Sequence, residues 1–172
     1  MPDVILQAGR ERSLLRRHPW VLSGAVARVD GEAGPGDAVR VLSAAGEVLG
    51  TGHFSPHSNI RVRVLHWGKQ EPAPDWLEQR IAAAVARRAA NPLLAGVEAL
   101  RLVNAEADGL PGLVADRYGD VVVVRLFSAG MTQRRDAVAA ALRRATGAVR
   151  GFERADSSAS RREGVPARQG SL

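Results

Sequence analysis

No cysteine occurs anywhere in the sequence. Disulfides, thiolate metal sites and a cysteine nucleophile are therefore excluded within these 172 residues, and the composition suits a reducing compartment. Long hydrophobic runs are missing as well. No apolar stretch approaches the length of a membrane span, and the N-terminus lacks a basic-then-apolar leader. The expectation is a soluble, cytoplasmic chain with no membrane partner. Lysine is nearly absent, Lys69 being the only one, so the basic residues are almost all arginine; a GC-rich coding bias gives the same balance. The patterns G-x-G-x-x-G, G-x-x-x-x-G-K-S/T and G-x-S-x-G do not occur. Nothing here signals a nucleotide, S-adenosylmethionine (SAM) or acyl-transfer pocket.

What is present is apolar content of 45%, enough for a core, and a formal charge of +6. The length fits one ordinary domain or two small ones. A positive balance favours a polyanionic partner. Counted as Lys and Arg against Asp and Glu, residues 1–67 carry 8 against 6, residues 68–131 carry 7 against 8, and residues 132–172 carry 9 against 4. The basic excess lies at the two ends.

The most informative stretch is Gly9-Arg-Glu-Arg-Ser-Leu-Leu-Arg-Arg-His-Pro-Trp20. At about 100° per residue, a helix here gathers Leu14, Leu15 and His18 on one side. Arg10, Arg12, Arg16 and Arg17 spread over the other, and Pro19 stops the helix. Arginine suits phosphate because its planar fork offers paired donors and stays charged. Trp20 offers a stacking surface for a base. The pattern reads as a polyanion-binding helix, most simply for RNA, or as an ordinary amphipathic surface helix.

Around it, Asp3–Ala8 reads as a first strand. Short β-prone pieces then recur at Ala25–Val29, Ala38–Leu42, Val48–Phe54 and Ile60–Leu65, separated by glycine-rich turns. This spacing predicts a small, partly closed β-barrel over residues 1–67. Alternation in Ile60–Leu65 puts Arg61 and Arg63 on one face, making both candidate RNA contacts. Gly50 and Gly52 share a strand face, where another backbone can approach closely. Residues 68–75 read as a linker. A helix follows from Asp75, with Glu78 as a capping-box partner, to the stop at Asn91-Pro92. Strands at Leu100–Val103, Leu113–Asp116 and Val121–Phe127, a helix from Thr132 to Thr146 and a strand at Arg150–Glu153 complete an α+β unit over 76–156. Residues 157–172 read as a tail with little to bury.

Other constellations are weaker. His53 and His57 lie four apart, but Pro56 between them spoils a shared helical face, so no metal site is expected. Glu106, Asp108, Asp116 and Asp120 serve either as a carboxylate cluster for acid–base chemistry or as ordinary turn residues. A small hydrolase using Glu106, Asp108 and Asp116 requires those groups to converge in a cleft. Leu110, Pro111 and Leu113 are apolar for an exposed hairpin and predict an uncovered interface.

Four segments closely resemble one bacterial family: 9–24, 105–120, Ser128-Ala-Gly-Met131 and Phe152-Glu-Arg-Ala-Asp156. It is the family of SAM-dependent large-subunit ribosomal RNA cytosine-C5 methyltransferases that carry an N-terminal PUA domain. The resemblance runs through essentially the whole chain. Ala155 stands where the family usually has serine. The resemblance implies an α+β chain made of a PUA-type barrel and a compact α+β domain, without the family's Rossmann-like catalytic domain. It implies an RNA-facing role for Arg10, Arg12, Arg16, Arg17 and Trp20. It further implies ribosomal RNA and a catalytic domain in cis as partners, with SAM held elsewhere and no cofactor on these residues. The expected function is substrate positioning for a methyltransferase, with a free-standing RNA-binding adaptor as the alternative.

Overall fold

The computed structural model describes residues 1–172. The first half is a curled six-stranded sheet. Its strands are β1 (Asp3–Leu6), β2 (Trp20–Leu22), β3 (Val26–Asp30), β4 (Ala38–Leu42), β5 (Val48–Phe54) and β6 (Ile60–Trp67). They lie in the order β2-β6-β5-β4-β1-β3, antiparallel except for β1 beside β4. Alternating valines fill its interior: Val4, Val39, Val41, Val62 and Val64 are buried together with Leu6, Val21 and Phe54. Close strand approach at β5 depends on its glycines. A β-carbon on Gly50 or Gly52 would collide with the carbonyl oxygens of His66 or Arg63 on β6, and the ladder bulges between Thr51 and Gly52.

The arginine-rich stretch is not one long helix. A turn closed by the Arg10 N–H on the Gln7 carbonyl (3.0 Å) uses up its first residues, and the helix α1 spans only Arg12–Leu15. Its end comes before Pro19. Arg17 adopts a left-handed φ of 64°, with its N–H on the Leu14 carbonyl and the His18 N–H on the Ser13 carbonyl, the Schellman closure. Leu14 alone anchors the turn, 2% exposed within the barrel core, whereas Leu15 is 66% exposed. The expected pair of leucine anchors is thus corrected to one.

Residues 68–75 lead into α2 (Trp76–Ala89). Asp75 precedes this helix but accepts from the Gln79 side chain (2.7 Å) rather than capping a backbone N–H. The second sheet holds β7 (Ala99–Asn104), β8 (Leu113–Tyr118), β9 (Val121–Leu126), β10 (Arg150–Glu153) and β11 (Gly170–Ser171), in the order β11-β10-β9-β8-β7. The predicted helix from Thr132 is two pieces, α3 (Ala129–Gln133) and α4 (Arg135–Thr146), broken at Arg134. Ile81 and Ala84 of α2 and Val138, Ala141 and Leu142 of α4 join Leu102, Val122 and Val124 in one core. Leu110 and Leu113 are wholly buried in that core, so the uncovered interface expected there does not exist.

The C-terminal residues are also built in. Helix α5 (Ser157–Glu163) starts where the Asp156 carboxylate accepts the Ala159 N–H (2.9 Å). Strand β11 then pairs with β10, and Leu172 packs on the second core. The anchor of this segment is a buried carboxylate rather than an apolar stripe, so hydrophobic periodicity gives no sign of it.

The two halves dock through the outer face of β5 and β6. Arg80 donates to the Leu65 carbonyl (2.8 Å) and to the Gly109 carbonyl (2.6 Å). The His53 ring lies against Gly130 and near Trp76. At the centre Glu163 meets Arg63 (2.9 Å).

Candidate nucleic-acid interface

Two neighbouring clefts make up the candidate groove, one on the barrel and one where the halves dock. One part, about 760 Å³ in volume, lies on the barrel between the α1 turn and β2, lined by Arg10, Arg12, His18 and Leu22 among others. The other, about 610 Å³, lies between the barrel, the open face of the second sheet and α5. Trp20 and Asn59 line both parts. Trp20 is 36% exposed, and its indole N–H donates to the Glu106 carboxylate across the junction at 2.8 Å.

The seven residues singled out from the sequence are separated by this geometry. Arg10, Arg12, Arg16 and Arg17 are exposed and enter no ion pair. Arg10 and Arg12 line the barrel groove; Arg17 instead lies over the Trp67 ring, 5.2 Å from its centroid. Arg61 is half-buried and donates to the carbonyls of Ser55 and Pro56. Arg63 is 6% exposed. The alternation that put Arg61 and Arg63 opposite the valines is present, but the second half and α5 cover that face at Arg63. An open, phosphate-facing Arg63 is therefore corrected to a buried ion pair.

Residues that sequence reading passed over complete the groove. Arg101 on β7 and Arg125 on β9 line its second part with Arg162 of α5. Arg101 is held by Asp116 (2.8 Å) and Arg125 by Asp156 (3.2 Å). The available signal was a single arginine interrupting each of two otherwise apolar strands.

Electrostatics at the docking face are set by burial. Burial drives the Glu163 carboxyl up, but the Arg63 guanidinium, the Ser55 hydroxyl (2.6 Å) and the Ala129 N–H (3.1 Å) outweigh it and hold it below the usual carboxylate range. Burial pushes His53 down to about 3, helped by the positive charge of Arg134 and Arg63 and by His66. His66 is pushed down to about 4 by burial and Arg80. Both rings are neutral near pH 7.

The carboxylates proposed for hydrolysis do not converge. Asp108 is bonded by Arg88 (2.7 and 2.8 Å), Arg87 and the Asn104 N–H (2.6 Å). Asp116 serves Arg101, and Glu106 serves Trp20. With three carboxylates in three separate roles, the hydrolase reading is withdrawn. His53 and His57 do not share a site either: His53 is buried against Gly130, and His57 is exposed beside Gly164.

This curled sheet, docked on an α+β layer, has counterparts among known proteins. Residues 4–67 match the PUA-like domain family. Over nearly its whole length the chain is similar to the N-terminal portion of proteins named ribosomal RNA large subunit methyltransferase I. That of Erwinia tasmaniensis is 42% identical over 168 residues, 97% of this chain and 42% of the relative. That of Salmonella arizonae is 39% identical over 170 residues, 98% of this chain and again 42% of the relative. The chain thus spans 42% of the length of these relatives. Its fold is shared with a Streptococcus mutans protein described as a SAM-dependent methyltransferase (TM-score 0.73, 21% identity, 90% of this chain, 40% of the other). A second methyltransferase structure, complexed with SAH, gives a TM-score of 0.75 at 21% identity, again over 90% of this chain and 40% of the other.

The residues present do not fit SAM. In the second sheet the only parallel pair is β9 beside β10. The chain leaves β9 for α3 through Phe127-Ser128, with Ser128 capping the Met131 N–H. No glycine-rich turn lets a nucleotide-like cofactor approach the backbone there. No helix is long and apolar enough to cross a membrane.

Proposed function

We propose that this chain is the RNA-binding, substrate-positioning part of a SAM-dependent ribosomal RNA cytosine-C5 methyltransferase acting in the cytoplasm. Ribosomal RNA is its partner, and a catalytic domain in cis supplies SAM and the attacking nucleophile. The observation that carries the reading is a pair of neighbouring clefts that share Trp20 and Asn59, with unpaired Arg10 and Arg12 in one and Arg101, Arg125 and Arg162 in the other. Free guanidiniums on an open surface have no internal partner to give up, and they exchange water for phosphate oxygens. Such contacts set register and affinity, and leave chemistry to other groups.

The test is titration of the 172-residue chain with ribosomal RNA fragments at several salt concentrations. Binding weakens as salt rises. Joint replacement Arg10→Ala and Arg12→Ala lowers the log–log salt slope by about one unit for each phosphate no longer neutralised. Arg61→Ala, at a side chain already used by backbone carbonyls, leaves the slope unchanged. A double variant with the parent's slope removes the barrel groove from the RNA path.

A further inference from the structure

We propose that the cleft between the barrel and the second sheet takes one unpaired nucleotide of an RNA strand. The proposal rests on the RNA-binding reading and specifies which state of the strand this part of the groove accepts. At about 610 Å³ the cleft lies within the range of sites that enclose a small ligand (about 300–1,000 Å³).

Its wall is Trp20. The bond from the indole N–H to Glu106 ties β2 to the turn after β7 and fixes the ring across the junction. That N–H is the ring's only donor. With it already used, the ring offers a ligand its π face, and the RNA component that stacks on such a face is a base. A base has a free face only where the strand is unpaired. Val114, Ile60 and Phe127 supply apolar surface beside it.

The opposite side is built for a phosphate. Asp116 accepts from the Nε and Nη2 of Arg101 and Asp156 from the Nη2 of Arg125, which orients the guanidiniums and leaves donors over. Arg162 has no carboxylate partner. In the floor, Arg63 is buried with Nε and Nη1 lacking any acceptor. With Asp116 on Arg101, these four guanidiniums stand beside four carboxylates, Glu106, Asp116, Asp156 and Glu163. The donors left for a phosphate are therefore those of the unpartnered Arg162 and the spare N–H groups of Arg101 and Arg125.

The test compares two RNA probes on the full chain: an unstructured strand of about ten nucleotides, and a blunt duplex of the same sequence. Trp20→Ala should weaken single-strand binding about 5- to 100-fold, the loss of one base stack, and leave duplex binding within about twofold. Trp20→Phe, which keeps a ring but loses the Glu106 bond, should retain most of the single-strand affinity. Arg162→Ala, at a side chain with no structural partner, should weaken the single strand selectively. An abasic strand should bind the parent chain as weakly as the intact strand binds Trp20→Ala; this arm does not depend on how any variant folds. Equal losses on both probes, or none on either, overturn the nucleotide subsite and leave the phosphate-binding reading standing. If neither probe binds the parent chain, both fall.

Discussion

The Glu163 carboxylate in α5 lies 2.9 Å from the Arg63 guanidinium in β6, with both side chains almost wholly excluded from solvent. Glu163 also accepts from the Ser55 hydroxyl and the Ala129 N–H, so one carboxylate ties the barrel, the start of α3 and the C-terminal helix together. A buried pair is weak evidence for net stability, because desolvation offsets the attraction. Breaking one partner is another matter. Glu163→Ala should lower unfolding free energy by about 3–5 kcal/mol in a denaturant titration, since Arg63 is left buried and unpaired. A loss below about 1 kcal/mol would show that water reaches the pair.

The buried imidazoles predict an acid-sensitive fold. His53 titrates at about 3 in the folded chain and 6.5 otherwise; His66 titrates at about 4. Across the interval below 6.5 the unfolded chain binds protons that the folded chain refuses, so stability falls as pH drops through it. His53→Leu removes one of those protons. It should flatten the dependence by about 1.4 kcal/mol per pH unit in mid-interval, read from denaturant midpoints at a series of pH values. A parallel curve for the variant would mean that His53 is protonated in the folded state.

Backbone contact at β5 is tested by Gly52→Ala. The new β-carbon meets the Arg63 carbonyl oxygen on β6, and backbone cannot swing aside as a flexible side chain can. A loss of about 1–3 kcal/mol is expected, with greater exchange of the β5 and β6 amides. Unchanged stability would show that the bulge relaxes freely.

Leu14 and Leu15 make the clearest paired comparison. Leu14→Ala opens a cavity in the barrel core and should cost about 2–5 kcal/mol. Leu15→Ala, on the exposed side of the turn, should stay within about 0.5 kcal/mol. Equal losses would restore the longer helix with two buried leucines.

Much of this architecture is readable from the chain. The four β-prone pieces from Ala25 to Leu65, the helix after Asp75 and its stop at Asn91-Pro92 all fall close to the observed elements, because alternation and breaker residues are local properties. The arginine stretch is misread for an equally physical reason. Left-handed Arg17 lets the turn close early, and a non-glycine residue in that conformation leaves no compositional mark. Leu110 and Leu113 look exposed because their loop is rich in glycine and aspartate, yet the loop folds back over its own core.

The sequence alone determined which residues of β6 share a face, where β3 to β6 and the helix after Asp75 fall, and that any polyanion would be met by arginine. It could not determine what covers those faces. Packing of the second half against β6 turned Arg63 inward and left Arg10 and Arg12 in the open. The same packing brought Trp20 to Glu106 and a C-terminal carboxylate to the middle of the molecule. Periodicity is a property of one segment. Burial, and with it the difference between a structural arginine and one free to bind, belongs to pairs of segments distant in the chain.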